Sequence, residues 1–317
     1  MEFIESRVAE EQRFGDAAFP KTVLPGDGTD GDLAKLVLTE RETLIAALDR
    51  YSALLFRGFK VNSVADFELV VEAFGWEAYP VPQKGMTTRT KFSDRVYSTN
   101  DAAPEYLINF HHEMSLRPTM PSKVLFYCSE PSPQGGETSL VSSDVVLQTM
   151  EQRMPEFVAK AAKLGLFYCM ISASDAEAGS PIVINKSWKS ALGTQDEAEA
   201  VKRATEMLSC NSIRFLGEGR AEVTVGPLNP IGVSGEKRAW LVPLLGYNET
   251  MENVSNKFSD GSAVPEEALR IYKEILDENH VNIKWQKGDV LLFDNLVVQH
   301  ARRPGEPPRL ILGSLCK

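Results

Sequence analysis

With 317 residues, 43% of them apolar and 25% charged, the chain has the size and balance of a folded unit able to bury a substantial core, with neither a disordered nor a fibrous bias. Its net charge of −10 counts against nucleic acid or an anionic membrane as the main partner, because both select a basic face. No stretch approaches the roughly 18 apolar residues of a membrane helix, so a small-molecule substrate is the expected partner.

The N-terminal "MEFIESRVAEEQRFGD" is acidic and lacks an apolar signal core. Cys128, Cys169, Cys210 and Cys316 are too widely spaced for CxxC chemistry, which points to a reducing, cytoplasmic compartment and four free thiols. Asn185, Asn248 and Asn253 open N-x-S/T sequons that read as chance matches. The basic run of Lys84, Arg89, Lys91 and Arg95 reads as solvated surface.

Along the chain, Thr39 and Glu42 form a capping-box pattern ahead of Leu44, Ile45, Leu48 and Tyr51, which share one helical face. That helix should end before "ALLFRGF", a buried strand closed by Gly58. A second amphipathic helix is predicted over Val64 to Phe74. From Arg95 the texture becomes short β-like runs, "RVYSTN", "EYLINFHHEM" and "KVLFYCSE", and "PSPQGGETSLVS" then gives a turn, eased by Gly135 and Gly136, and a further strand. Residues 144 to 208 are predicted mostly helical, with Gly165 as a C-cap and Thr194 to Glu197 as a capping box. "SIRFLGE", "AEVTVGPL" and "AWLVPLL" follow as strands, then a helix from near Pro265, and "VNIKW", "DVLLFD", "LVVQHARR" and "RLILGSLC" close the chain.

Two blocks of strands without βαβ alternation suggest a mainly β, α+β architecture with a jelly-roll (double-stranded β-helix) core over about 91–143 and 209–317. An N-terminal helical flank over about 1–90 and a helical insertion over about 144–208 complete one domain, 1–317.

The chemistry concentrates in "INFHHEMSLRP". In a strand, His111 and Glu113 share a face while His112 points away as a packing or hydrogen-bonding residue. His300, in "LVVQHARR", offers a third ligand. Two imidazoles and a carboxylate on one side of a metal leave the other positions open, the facial arrangement of non-haem Fe(II) oxygenases. "PGEPP" should turn the chain into a hairpin that carries Arg309 back beside His300, where its planar fork can grip a carboxylate, and Thr138 can add a hydroxyl. Asn109, sharing parity with His111, and Tyr106 are the candidate substrate contacts. A zinc-dependent hydrolase on the same three ligands is an alternative that leaves Arg309 and Thr138 without a role, and a non-catalytic jelly-roll binding module is another. His280 suits a helix end, Arg57 a buried or semi-buried structural role, and Trp76, Trp188, Trp240 and Trp285 the core or its rim.

"FHHEMS" with its HxE, "GGETSL", "GDVLLFDNLVVQHARR" and the following Arg309 together resemble the Fe(II)/2-oxoglutarate-dependent oxygenases of the taurine dioxygenase superfamily, in particular its clavaminate synthase-like branch. "ALLFRGF" is similar to the strand at which that superfamily's core begins, and the resemblance spans Ala53 to Leu315. An HxE by itself is common; the ordered set is not. The resemblance implies Fe(2+) held by His111, Glu113 and His300, 2-oxoglutarate held by Arg309 with Thr138, and O2 as second co-substrate. The implied reaction decarboxylates 2-oxoglutarate to succinate and oxidises an unactivated C–H bond of a small molecule. The interval from His300 to Arg309 is short for the family, so Arg302 and Arg303 compete for the co-substrate role. Gly313 stands where some relatives carry a second arginine, so a sulfonate or amino-acid substrate is not carried over.

Overall fold

The computed structural model describes residues 3–7, 11–14, 17–81, 89–175, 187–207, 210–246 and 254–317. The three sequon asparagines, Asn185, Asn248 and Asn253, and Lys84 lie outside them. A seven-stranded sheet runs in the order Phe3–Ser6, Lys21–Pro25, Ala53–Phe56, Val290–Asp294, Lys123–Glu130, Leu310–Cys316 and Tyr97–Ser98. Facing it is a four-stranded sheet in the order Val281–Ile283, Thr138–Ser142, Val298–Arg302 and Ile108–His111.

Strand alternation decides what each face buries. On the larger sheet, Ala53, Leu55, Leu291 and Phe293 meet Leu140, Ile283 and Val298 of the smaller sheet in one apolar cluster. The intervening Leu54, Phe56, Leu292 and Tyr127 pack outward on the helices Leu33–Tyr51 and Val64–Ala73. The outer face of the smaller sheet, through Phe110, Val141 and Ala301, is covered by the helices Ser143–Arg153, Pro155–Leu164 and Glu266–Asn279. Two sheets between two helical layers give a sheet-rich α+β fold whose inner faces are shielded from water.

Several elements depart from the sequence-based expectation. The first helix begins at Leu33, where Asp32 accepts from the Lys35 N–H at 3.0 Å, and not at Thr39. The Thr39 hydroxyl instead donates back to the Lys35 and Leu36 carbonyls, and Glu40 beside it leaves helical geometry, so the apparent cap marks a kink. The N-terminal flank also carries strands, with Lys21–Pro25 parallel to Ala53–Phe56.

The region expected to be a helical insertion contains the strand Leu166–Ile171. It joins Cys210–Gly217, Arg220–Leu228 and Val254–Phe258 in a separate four-stranded sheet, so "SIRFLGE" and "AEVTVGPL" stand outside the facing pair. "LFYCMI" is a continuous apolar run, which periodicity alone does not separate from a buried helix segment. Asp196, not Thr194, caps the helix Glu197–Met207 by accepting from the Glu199 N–H at 2.7 Å.

Other readings match. Gly165 caps Pro155–Leu164, the His280 ring meets the Leu276 carbonyl at 3.0 Å, and Arg57 pairs with buried Asp289 at 2.6 Å. The four cysteines are free thiols. Among the described residues no helix is long and apolar enough to cross a membrane.

Candidate active site

His300 lies inside the strand Val298–Arg302, and its antiparallel neighbour across the ladder is His111, the last residue of Ile108–His111. The two rings sit with centroids 4.4 Å apart. Phe126 and Phe293, at 5.3 and 5.2 Å, wedge the His300 ring by packing alone, and its buried Nδ1 has no hydrogen-bond partner among the described residues.

Glu113 reaches the same point by a different route from the one its spacing implied. The strand ends at His111, and Glu113 occupies a turn followed by Met114 at φ 59°. Asn295 holds that turn: its Oδ1 accepts from the Glu113 N–H at 2.7 Å, and its Nδ2 donates to the carbonyls of Glu113 at 3.0 Å and Pro121 at 2.9 Å. Replacing Asn295 with alanine strands these buried groups, each worth about 1–3 kcal/mol. Asn295→Ala is expected to lower the thermal midpoint by several degrees and iron affinity by roughly 10-fold or more, checked by calorimetry and metal titration.

His112 is scaffold. Burial pushes its imidazole down to about 4, and the ring is held by the Asn295 carbonyl at 2.5 Å from Nδ1 and by the Trp240 carbonyl at 3.0 Å and the Ser143 hydroxyl at 2.9 Å from Nε2. Gln299 and Tyr272 extend this buried network.

The ligand atoms of His111, Glu113 and His300 all lie within 4.8 Å of one another, and Glu113 Oε2 is 3.6 Å from His300 Nε2. Burial, helped by the neighbouring His300, pushes His111 down to about 3, so it is neutral at physiological pH. Its Nδ1–H donates to the Asn109 carbonyl at 2.8 Å, which leaves the Nε2 lone pair for a metal. Burial alone would raise the Glu113 carboxyl, but the Arg89 guanidinium at 2.6 Å and the two imidazoles outweigh it and hold the group well below the usual carboxylate range. Two imidazoles and an anionic carboxylate converging on one point fit a divalent first-row metal.

Arg89 departs from the reading of Lys84, Arg89, Lys91 and Arg95 as solvated surface: its side chain is only 8% exposed and faces the same cavity as the triad. Arg89 takes Oε1, so Oε2 remains as the single carboxylate oxygen turned toward His300.

Arg309 comes from the other sheet. After His300 the chain crosses from the smaller sheet to the larger and does not fold back as a hairpin, and Arg309 immediately precedes Leu310–Cys316. The crossing is fastened by the Gly136 N–H donating to the Pro304 carbonyl at 2.9 Å. Gly136 has φ +70°, and a Cβ there would come within 2.7 Å of Ser132 Cβ and 3.0 Å of Arg309 Cδ, so the glycine is what lets the arginine pass.

Arg309 Nε donates to the Gly136 carbonyl at 2.8 Å and Nη2 approaches Thr138 Oγ1 at 3.5 Å. Burial pushes Arg309 down to about 10, with Arg302 adding to the effect, which still leaves it cationic at neutral pH. Arg302, though it lines the cavity, is occupied with the carbonyls of Ala102, Ala103 and Tyr106. Arg303 donates to Ser139 Oγ at 2.7 Å and lies over the Phe110 ring.

Thr138 gains its orientation from Trp285, whose indole N–H donates to Oγ1 at 3.0 Å. Indole and guanidinium are donors only, so the Thr138 proton has to be offered to an acceptor elsewhere, which suits a carboxylate. Trp285→Phe is expected to weaken 2-oxoglutarate binding by up to roughly tenfold, the worth of one neutral hydrogen bond. In a Thr138→Val background it should change nothing further by calorimetric titration.

Among the described residues, the remaining cavity wall comes from Thr99, Asn100, Ile108, Phe126, Ala301 and Ile311. The Asn109 amide donates to the Gly246 carbonyl at 2.6 Å, Tyr106 is 41% exposed, and neither lines the cavity. Sequence reasoning missed Arg89, Asn295 and Trp285, whose partners are 24, 182 and 147 residues away. Only the "DN" ending "VLLFDN" carried a local turn signal.

Residues 20–197 and 237–315 match the family described as "Taurine catabolism dioxygenase TauD, TfdA family". A clavaminate synthase-like protein of Arabidopsis thaliana is 34% identical over 99% of this chain and 98% of its own length. The dapdiamide synthesis protein DdaC of Enterobacter agglomerans is 26% identical over 83% of this chain and 82% of its own. In fold, the chain is similar to PvcB of Pseudomonas aeruginosa, with TM-score 0.57, 16% identity, and 100% and 92% of the two chains covered. Family and triad together define the class, an Fe(II)/2-oxoglutarate-dependent dioxygenase. The chain belongs to the TauD, TfdA family.

Proposed function

We propose that the protein oxidises an unactivated C–H bond of a small molecule, coupled to decarboxylation of 2-oxoglutarate to succinate, in the cytoplasm and as one catalytic domain spanning the chain. The observation that carries this reading is that the triad, Arg309 and Thr138 line one cavity between the facing sheets. The order of those strands supports a double-stranded β-helix as the core, with ligands on the smaller sheet and the Arg309 anchor on the larger.

Each residue has a definite task. His111, Glu113 and His300 hold Fe(II), and the bound iron supplies the redox chemistry that activates O2. Arg309 and Thr138 bind the distal carboxylate of 2-oxoglutarate and so orient its other end toward the triad. Arg89 restrains Glu113 to one free oxygen, which keeps coordination positions open. Phe126, Ile311 and Ile108 exclude water from the reacting centre. PvcB is described as an Fe, alpha-ketoglutarate dependent oxygenase from an isonitrile synthetic pathway, and DdaC by its part in dapdiamide synthesis; both are in keeping with a small-molecule substrate here. A zinc hydrolase would leave the Arg309–Thr138 pair without a purpose, and a passive binding module would leave the intact triad without one.

Anaerobic addition of Fe(II) and 2-oxoglutarate to the purified protein is expected to give the weak visible charge-transfer absorption of that chelate, and air should then release succinate slowly without substrate. Absence of both signals overturns the reading.

A further inference from the structure

Resting on that reading, we propose that Arg89 anchors an anionic group, of the carboxylate class, on the primary substrate. Among the described residues, the charged ones lining the cavity are Arg89, Arg302, Arg309 and Glu113, three cations against one anion. A divalent metal and the two carboxylates of 2-oxoglutarate cancel one another, so the described lining of the filled site keeps an excess of two positive charges in a place shielded from water. Glu137 and Glu105 act on Arg309 and Arg302 only through space, and among the described residues neither arginine has an ion pair. Uncompensated charge in such a place is costly, and an anionic ligand is what relieves it.

Of the three arginines, Arg89 is the one placed to receive that ligand. The Arg302 donors end on backbone carbonyls, and Arg309 faces Thr138 and the co-substrate. Among the described residues Arg89 makes one side-chain bond, from Nη2 to Glu113 Oε1, although a guanidinium carries five N–H donors. When Glu113 shares its charge with a metal, that single pairing weakens. Arg117, half-buried on the same side and subject to the charges of both Arg89 and Glu113, adds to the positive field there. A planar fork next to the metal matches a carboxylate in two hydrogen bonds and holds the neighbouring C–H bonds near the reacting centre.

The test uses the anaerobic enzyme with Fe(II) and saturating 2-oxoglutarate, so that Arg309 is already occupied, and titrates acetate against its neutral isostere acetamide. Perturbation of the charge-transfer band and the thermal midpoint are read. Acetate is expected to bind at least ~10-fold more tightly than acetamide, equivalent to about 1.4 kcal/mol, and Arg89→Met should erase the preference. Arg89→Lys, which keeps the charge but loses the fork, should retain a reduced preference; it decides the matter if Arg89→Met fails to hold iron. Equal binding of the two probes, no binding of either, or an undiminished preference in these variants overturns the assignment of Arg89 while the oxygenase reading stands. A band that never forms in the unmodified protein overturns both.

Discussion

His300→Ala is expected to abolish tight iron binding and 2-oxoglutarate turnover, with succinate formation falling more than about 100-fold, since even outer partners of metal ligands are worth roughly 10–100-fold. His300 is the strongest choice because it lies within a strand whose ladder partners His111 and Leu140 fix it on both sides, so no neighbouring imidazole can swing in to replace it. The other histidine close by, His112, is tied to Asn295 and Ser143 on the far side of the chain. Metal analysis of the purified variant, with the thermal midpoint as a check on folding, measures the effect. Stoichiometric iron in His300→Ala would remove the triad as the metal site.

Arg309→Met should leave iron binding intact while weakening 2-oxoglutarate by at least ~30-fold, because truncating one partner of a buried charge pair costs about 2–5 kcal/mol. The geometry makes this specific to Arg309. Arg302 holds the 102–106 loop through its carbonyls, and Arg303 lies over Phe110 on the helix-covered face of the smaller sheet. Arg303→Met is therefore expected to bind 2-oxoglutarate normally. Calorimetric titration of 2-oxoglutarate into the three proteins compares them directly; a larger loss in Arg303→Met than in Arg309→Met would reassign the anchor.

The resemblance in "FHHEMS" and "GDVLLFDNLVVQHARR" found a family that the whole-chain similarity establishes, and the strands "KVLFYCSE" and "DVLLFD" lie where their apolar runs put them. What misled was local geometry extended too far. Glu113 joins His111 through a turn held by Asn295 and not through strand parity, and Arg309 reaches Thr138 by a crossing between sheets and not a hairpin. "LFYCMI" reads as part of a helical stretch because its two strand partners, Arg220–Leu228 and Val254–Phe258, both lie later in the chain.

The sequence by itself determined the kinds of group available: two imidazoles and a carboxylate in a fixed order, a glycine pair before Thr138, an arginine after His300, and apolar runs long enough for buried strands. These are properties of residues and of spacing within one element. Only the tertiary structure decided that Arg89 grips Glu113, that Trp285 aims the Thr138 hydroxyl, and that the two sheets bring Arg309 over the triad. Those contacts are chosen by which faces the strands bury against each other, and burial is a property of the folded chain as a whole.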